Sequence, residues 1–522
     1  MVDQFLWVVV LGPFALALAA FLGGTAEARN RIALGAAFLT LGLALLAAIA
    51  VGFGGTIHTQ TLGAAGIGVN VYLDSLSATM FCLVSFIGLI VLAYSRNYMD
   101  GDPGQLRFTR LLCLTLSAVL SVIIAGNLLT LILAWIGTST GLQRLLLFYP
   151  ERPGAILAAH KKFLTSRMGD VCLIGAAILL YRTFGSLDYE ALFAGSAAML
   201  ATGAAPPSVH VAAMLVVIAA LLKSAQFPLH GWLIEVMETP TPVSALLHAG
   251  IINAGGFLIL RLSNVVSLSF PSLDVLAIVG GITALFGSVV MLTQTSIKVT
   301  LAYSTVAQMG YMMLECGLGA FPAALLHIVA HSLYKAHAFL SSGSVIDIAR
   351  ASWTPSPGGK PHPARLGIAI AGVLVVTLAV SRAFNASPLE KPGVFALGAV
   401  LLLGLIHLVS SGIDERPNVF VVGRVLAFAS VVAVAYFGLQ VFATWVVGSS
   451  VPQLHKVGGP FETTVVSVVV LAFAAVTFLQ GQVPRVGSAR FPAFYAHVAN
   501  GLYVNTIANR FILRFLPTPE GR

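Results

Sequence analysis

Hydrophobic positions along this chain fall in long uninterrupted runs, without the strict alternation of a half-buried strand or the narrow stripe of a surface helix. Runs of roughly 18 residues or more recur from end to end, and each, as a helix, is long enough to cross a hydrocarbon core of about 30 Å. About fifteen such segments are read, over approximate ranges 5–23, 31–53, 72–94, 109–125, 128–148, 163–181, 209–229, 241–262, 274–293, 297–318, 321–346, 366–384, 393–411, 419–444 and 463–480. Backbone groups surrounded by lipid must be satisfied within the segment itself, so the runs predict helices. The expected fold class is therefore all-α, a polytopic membrane protein with about fifteen transmembrane helices. The first run follows Met-Val-Asp-Gln with no basic region before it, so it is expected to be a span and not a cleaved signal.

Composition agrees with that pattern. The 522 residues are 58% hydrophobic and 9% charged, where a soluble domain carries about 25% charged residues. Cys82, Cys113, Cys172 and Cys316 lie far apart in apolar segments with no C-x-x-C pair, which reads as small buried residues and not as disulfides or zinc ligands. A net charge of +9 raises the question of nucleic acid. Most of the basic residues, Arg29, Arg31, Arg96, Arg107, Arg110, Arg152, Lys161, Lys162, Arg365 and Arg510 among them, fall in alternate loops and the C-terminal segment. The positive-inside rule then places the N-terminus outside and the C-terminus in the cytoplasm, and the basicity needs no nucleic acid.

Loops are short except for Gly54–Asn70, Gly185–Val209, Ser352–Arg365 and Ser449–Thr463. The Ala-rich stretch Ala194–Pro207 and the Pro/Gly-rich Thr354–Pro363 read as flexible surface connections. Four regions are expected: N-terminal helices over 1–108, a core over 109–411, further helices over 412–482 and a tail over 483–522. The tail mixes Phe491, Phe494, Tyr495, Leu502, Tyr503, Ile507 and Phe511 with Arg490, His497, Arg510 and Arg514, a pattern that fits an amphipathic helix on a membrane face or a docking segment for a partner. There is no G-x-x-x-x-G-K-[ST], so ATP hydrolysis on this chain is not expected.

Ionisable residues inside apolar runs cost about 2.5–3.5 kcal/mol each on insertion scales, and each asks for a reason. Lys223 lies in such a run, five residues before Pro228, which removes a backbone donor and breaks or kinks the helix. A charge at a broken helix is how transporters expose groups to ions at mid-membrane. A lysine taken out of water gains and loses its proton as water or a counter-charge comes and goes. The plainer reading is a lysine snorkelling from a helix end.

His327, His331 and Lys335 stand at i, i+4 and i+8, one polar stripe on an apolar helix and the geometry a proton relay needs. Zinc binding by the histidine pair is a weaker alternative, because His-Ile-Val-Ala-His lacks the glutamate of H-E-x-x-H and Lys335 adds a cation. Histidines bonded to carbonyls as helix glue are another. His248 follows Thr239-Pro240-Thr241-Pro242, with His230, Glu235 and Glu238 before it; the two carboxylates could pair with Lys223 or His230, or lie at the aqueous face. Asp170, three residues after Arg167, could hold a charge near Lys223 or form an ordinary helix-start pair, and Lys298 opens another helix.

Leu222-Lys223-Ser224-Ala225-Gln226-Phe227-Pro228-Leu229-His230-Gly231-Trp232-Leu233, continuing through Thr239-Pro240-Thr241-Pro242 to His248-Ala249, resembles the proton-pumping antiporter-like subunits of respiratory complex I and the Mrp antiporters. Further matches are Leu73-Asp74-Ser75-Leu76-Ser77, Ser166-Arg167-Met168-Gly169-Asp170, Lys298 with Leu301-Ala302-Tyr303-Ser304-Thr305 through Tyr311, and the helix from His327 to Ile346. Together they cover roughly residues 70–350. The resemblance implies two inverted five-helix repeats with a broken helix. It implies a proton path of Lys223, His248, Lys298, His327, His331 and Lys335, with Arg167 and Asp170 as the helix-start pair. Two places depart from the family. Its tryptophan–glutamate–glycine is Trp135-Ile136-Gly137 here, and Leu366–Val380, where a second broken helix with an exit lysine belongs, is uncharged and proline-free. Either Glu238 and Asp170 take over the role of the glutamate or Lys223 is driven differently, and Arg382, Glu390 or His407 is left to serve the exit.

With its tail segment from Phe491 to Tyr503, the chain also resembles the DabB family, the membrane subunits of two-subunit inorganic-carbon pumps of bacteria. That resemblance implies no cofactor on this chain and a soluble zinc-containing partner similar to β-carbonic anhydrases, DabA, which hydrates CO2 with energy from proton or sodium flow. The rival expectations are a subunit of complex I, a hydrogenase or an Mrp-type antiporter, and a passive membrane anchor for a soluble enzyme. The chain itself is not expected to be an enzyme.

Overall fold

The computed structural model describes residues 2–64, 67–236, 239–343, 363–385, 391–410, 419–452, 460–482 and 490–515. A helix lies over every predicted span. The order is α1 (Val2–Ala19), α2 (Ala26–Gly54), α3 (Ser75–Tyr98), α4 (Gln105–Ile124), α5 (Leu128–Leu146), α6 (Pro153–Phe184), α7 (Tyr189–Thr202) and α8 (Pro207–Lys223). Next come α9 (Gly231–Glu235), α10 (Thr241–Ala249), α11 (Ala254–Arg261), α12 (Ser263–Val266), α13 (Phe270–Met291), α14 (Ile297–Gly317) and α15 (Phe321–Leu340). Helices Pro363–Ala383, Pro392–Ser410, Val419–Val447 and Pro460–Gln482 follow, then the tail helices Arg490–Ala499 and Val504–Phe515. Among the described residues, eight helices are long and apolar enough to cross a membrane.

Two expectations change. The Gly54–Asn70 loop and the residues after it carry two small antiparallel ladders, Ile57–His58 with Tyr72–Leu73 and Leu62–Ala64 with Ile67–Val69, so the chain is not wholly helical. Isoleucine, valine and tyrosine suit a pleated backbone, and the segments are too short to register as strands against the apolar runs beside them. The Ala-rich stretch read as flexible is helical through Thr202, because alanine has the highest helix propensity of any residue and the stretch ends only where Gly203 turns left-handed. Of the Thr354–Pro363 connection, residues 354–362 lie outside the described residues.

Two interruptions organise the core. α8 stops at Lys223, and helix resumes only at Gly231, across the stretch where Ala225 takes a φ of +49° and Pro228 has no N–H to give. The run expected to be one helix over 241–262 is broken after Ala249 by a 3-10 turn, Ile251–Asn253. The breaks are tied together: the Ser224 hydroxyl donates to the Ile252 carbonyl at 3.0 Å, and Asn253 Nδ2 donates to Ser332 Oγ on α15 at 2.8 Å. Gly255 allows the approach, since a Cβ there would lie 2.3 Å from Ser224 Oγ and 2.5 Å from the Ala220 carbonyl oxygen. Similarly, α13 and α14 close to backbone contact, where a Cβ on Gly310 would meet the Ala284 nitrogen at 2.4 Å. Small residues at such crossings are how helices pack when lipid supplies no hydrophobic drive between them.

Candidate functional site

Lys223, the last residue of α8, is 3% exposed. Its Nζ donates to Ser139 Oγ on α5 at 2.7 Å and lies 4.3 Å from the centre of the Trp135 ring. Trp135 and Ser139 are four apart on one helix face, so a ring and a hydroxyl together receive the ammonium. The charged groups acting on Lys223 come from α6: Lys162, Asp170 and Arg167. Asp170 is paired with Arg167 at 2.7 Å, Lys162 donates to Ser166 Oγ at 2.5 Å, and Lys162 also sits over the Trp232 ring at 4.8 Å. On the other side of Lys223 a cavity of about 20 Å³ reaches the second break, with Thr138, Gly250, Ala254 and Phe257 in its lining. That volume holds about one water.

The second group centres on a backbone carbonyl. Lys335 is completely buried on α15 and its Nζ donates to the Leu301 carbonyl of α14 at 3.0 Å. Thr305 Oγ1 donates to the same carbonyl at 3.0 Å. Thr305 Oγ1 also lies 3.0 Å from His248 Nδ1, so one hydroxyl joins the histidine to the carbonyl that receives Lys335. His248 Nε2 has no hydrogen-bond partner among the described residues, and the ring stacks on Phe339 at 4.3 Å. His331 lies one turn before Lys335, buried, with its electrostatic neighbours Lys335, His327 and His248. His327 ends the stripe, 6.2 Å from His331 ring to ring, and its Nδ1 is 3.0 Å from Glu315 Oε1 on α14.

The predicted residues thus fall into two groups, Lys223 with Arg167 and Asp170, and His248 with Lys335, His331 and His327. Lys298 stands half-buried on the first turn of α14, before Leu301. His230 is buried against Phe227, Phe286 and Tyr303. Glu235 is not placed against Lys223: its Oε1 accepts from Lys161 Nζ at 2.7 Å and from Asn505 and Asn509 of the tail at 3.0 and 2.8 Å. The short helix α9 points the carboxylate toward the start of α6, where a cation was already present. Glu238 lies outside the described residues, as does Glu390; Arg382 is exposed, and the side chain of His407 is not among those described.

Sequence reasoning missed Ser139, Glu315 and the pair of Asp74 with Arg261. Lys162 entered it only as a loop charge. A serine in an apolar run carries no signal, but Glu315 does: it is a carboxylate three residues from the end of the predicted span 297–318, and the histidine stripe beside it drew the attention instead. Arg261 forks onto Asp74 at 2.9 and 3.0 Å and also reaches Ser77, with both charges fully buried. It ties the end of α11 to the start of α3 below the rings of Tyr72, Tyr189 and Phe257.

Comparison with known proteins places this architecture. Residues 125–353 match the model of the "NADH:quinone oxidoreductase/Mrp antiporter, TM" family, and residues 60–109 match "NADH-Ubiquinone oxidoreductase (complex I), chain 5 N-terminus". Over 98% of its length the chain superposes on 57% of a chain in the Mrp complex from Dietzia sp., with a TM-score of 0.59 at 23% identity, which is likeness of fold. The chain belongs to the antiporter-like membrane subunits, and it is a multi-pass, ion-translocating membrane protein.

Within that class it sides with one branch. It is 39% identical over 503 residues to the "Probable inorganic carbon transporter subunit DabB2" of Halothiobacillus neapolitanus, covering 93% of this chain and 88% of that one. The corresponding DabB subunit of Hydrogenovibrio crunogenus is 44% identical over 329 residues, 63% of this chain and 62% of the relative. NADH-quinone oxidoreductase subunit L of Mycobacterium tuberculosis is 36% identical over 357 residues, 66% of this chain and 56% of that protein. The chain is an antiporter-like subunit of the DabB type.

Proposed function

We propose that this chain conducts protons or sodium ions down the membrane gradient to drive uptake of inorganic carbon, with hydration of CO2 performed on a soluble, zinc-containing, carbonic-anhydrase-like partner of the DabA kind. The observation that carries the ionic half is the set of buried titratable groups spread over α8, α10 and α15 around two interrupted helices. Lys223 is the gating site in this reading. His248 bridges from it to Lys298, Lys335, His331 and His327 as the onward path, and Arg167 with Asp170 sets the field at Lys223. Names of relatives identical at 39–48% support the cargo and the partner.

The protein would sit in a bacterial inner membrane with the N-terminus outside and the C-terminus in the cytoplasm, the core over 109–411 forming two inverted repeats. A gradient does work only if it biases two conformations differently, so the partner must sense the occupancy of the Lys223 site. The test is growth in air of a carbonic-anhydrase-deficient bacterium expressing the chain with its neighbouring gene. Growth that requires Lys223 and is abolished by a protonophore or sodium ionophore supports the pump. Growth indifferent to both reduces the chain to an anchor, and an assembled complex that gives no rescue points to a complex I or Mrp-type role.

A further inference from the structure

The histidine stripe ends at a buried carboxylate beside a cleft. Glu315 is 3% exposed and meets His327 Nδ1 through one oxygen, while its Oε2 and His327 Nε2 make no hydrogen bond among the described residues. Both side chains line an open cleft of about 420 Å³, whose other polar walls are Gln308, Tyr311, Tyr334, Tyr436 and Gln440. His331 reaches the same cleft, with neither ring nitrogen bonded among the described residues. So the cleft touches three successive titratable groups, and although Leu326, Leu397, Val400 and Leu401 make much of its wall apolar, its volume and its polar side chains are enough to admit water.

Position along the helices gives the cleft its direction. The Leu301 carbonyl that receives Lys335 is at the start of α14 and Glu315 is at its other end. Fourteen residues at 1.5 Å each separate them by about 21 Å, most of a hydrocarbon core of about 30 Å. Lys335, His331, His327 and Glu315 therefore run from one end of α14 to the other.

We infer that Glu315 with His327 is the terminal exchange site of the path, where protons pass between the buried histidines and water in the cleft. This deepens the ion-conducting reading and rests on it. A proton taken up at His327 Nε2 releases the one on Nδ1 to the Glu315 carboxylate, and the carboxylic acid then gives it to cleft water. The imidazole ends neutral in its other tautomer and resets by reorientation of the ring, so no other reactant is needed. Other titratable groups facing the pair are His331 on α15, Tyr311 on α14 and Tyr436 on the helix Val419–Val447. The residues 366–390, uncharged through Val380, then need no exit lysine.

The experiment is proton flux into liposomes containing the complete complex, read by an internal pH dye under an imposed potential, for wild type, Lys223→Ala, Glu315→Gln and Glu315→Asp. The expected result is at least tenfold loss of flux in Glu315→Gln, substantial recovery of flux in Glu315→Asp, and no flux in Lys223→Ala. Flux unchanged in Glu315→Gln, while Lys223→Ala abolishes it, overturns the inference and leaves the ion-conducting reading standing. Absence of ion flux in wild type sinks that reading itself. Should Glu315→Gln fail to assemble, Leu401→Cys on the cleft wall is used. A water-soluble thiol reagent that then reacts there and blocks flux supports the inference; flux that survives a full reaction, or no reaction at all, overturns it.

Discussion

Lys223 Nζ donates to the Ser139 hydroxyl 2.7 Å away, with the Trp135 ring beneath it, so the buried ammonium is received by a neutral group where the family has a carboxylate on the same helix. A serine holds a charged lysine more weakly than a carboxylate would; the anion acting on the site is Asp170, already engaged by Arg167 and accompanied by the cation Lys162. The gate is tuned by α6 more than by α5.

Ser139→Ala is expected to remove a hydrogen bond to a charged group, about 1.5–3 kcal/mol, and to lower proton flux about tenfold with assembly intact, because Trp135 still covers the lysine. Asp170→Asn should cost more than Ser139→Ala, since it strips the site of its counter-charge. Flux in liposomes orders the two variants, and a larger loss for Ser139→Ala would make the hydroxyl the main partner.

Arg261→Ala is expected to be the most destabilising of the single changes considered. It leaves Asp74 charged and buried at the start of α3, and breaking such a pair costs about 3–5 kcal/mol. Asp74 also accepts the Ser77 N–H at 2.8 Å as the helix cap, so Asp74→Ala loses both functions. Thermal unfolding of the detergent-solubilised protein should show both variants melting well below wild type, with Asp74→Asn between them and wild type.

How far the sequence discloses this molecule depends on the scale of the signal. Apolar runs of twenty residues specify every long helix, since composition alone decides whether a segment belongs in lipid. The break at Lys223 was readable from Pro228, but the break after Ala249 was not, because Gly250-Ile251-Ile252-Asn253 carries no proline and an apolar run looks the same whether continuous or interrupted. The His327–His331–Lys335 stripe is visible because charges in apolar text stand out. Its partners on another helix, the Leu301 carbonyl and Glu315, depend on how α14 packs beside α15, which no local pattern encodes. Glu235 was visible as a carboxylate near the lysine, yet its role is set by Asn505, 270 residues away.

Tyr149, between α5 and α6, donates to Asp102 at 2.7 Å, and burial together with that carboxylate pushes its phenol up to about 12 from an ordinary 10. A raised folded-state value means that the protonated phenol stabilises the fold fully below pH 10 and that this contribution is lost as pH rises through 12. Tyr149→Phe should therefore lower stability at neutral pH and flatten its dependence between pH 10 and 12. Melting curves across that window check it; an unchanged slope in the variant would assign the alkaline loss to other groups.

The tail helix Val504–Phe515 is held by polar bonds to the gate's own supports. Asn505 accepts from Lys161 at 2.6 Å and donates to Glu235, to which Asn509 also donates, while Ile507 and Phe511 stay exposed. Lys161 is one residue from Lys162 and on the same helix as Asp170, and Glu235 follows the break at Lys223, so the tail touches elements on both sides of the gate. The bonds end on charged groups at about 1.5–3 kcal/mol each. Losing them in Asn505→Ala/Asn509→Ala should raise the fraction of detached tail at least tenfold, since 1.4 kcal/mol is a factor of ten. Tryptic cleavage at Arg510 and Arg514, measured on the liposome-bound complex, reports that fraction when opening is fast relative to cleavage. Coupling through this contact predicts faster cleavage together with proton flux that no longer depends on the soluble partner. Faster cleavage with coupling retained would leave the tail a passive tether, and unchanged cleavage would mean that the apolar face, seated in lipid, holds the helix by itself.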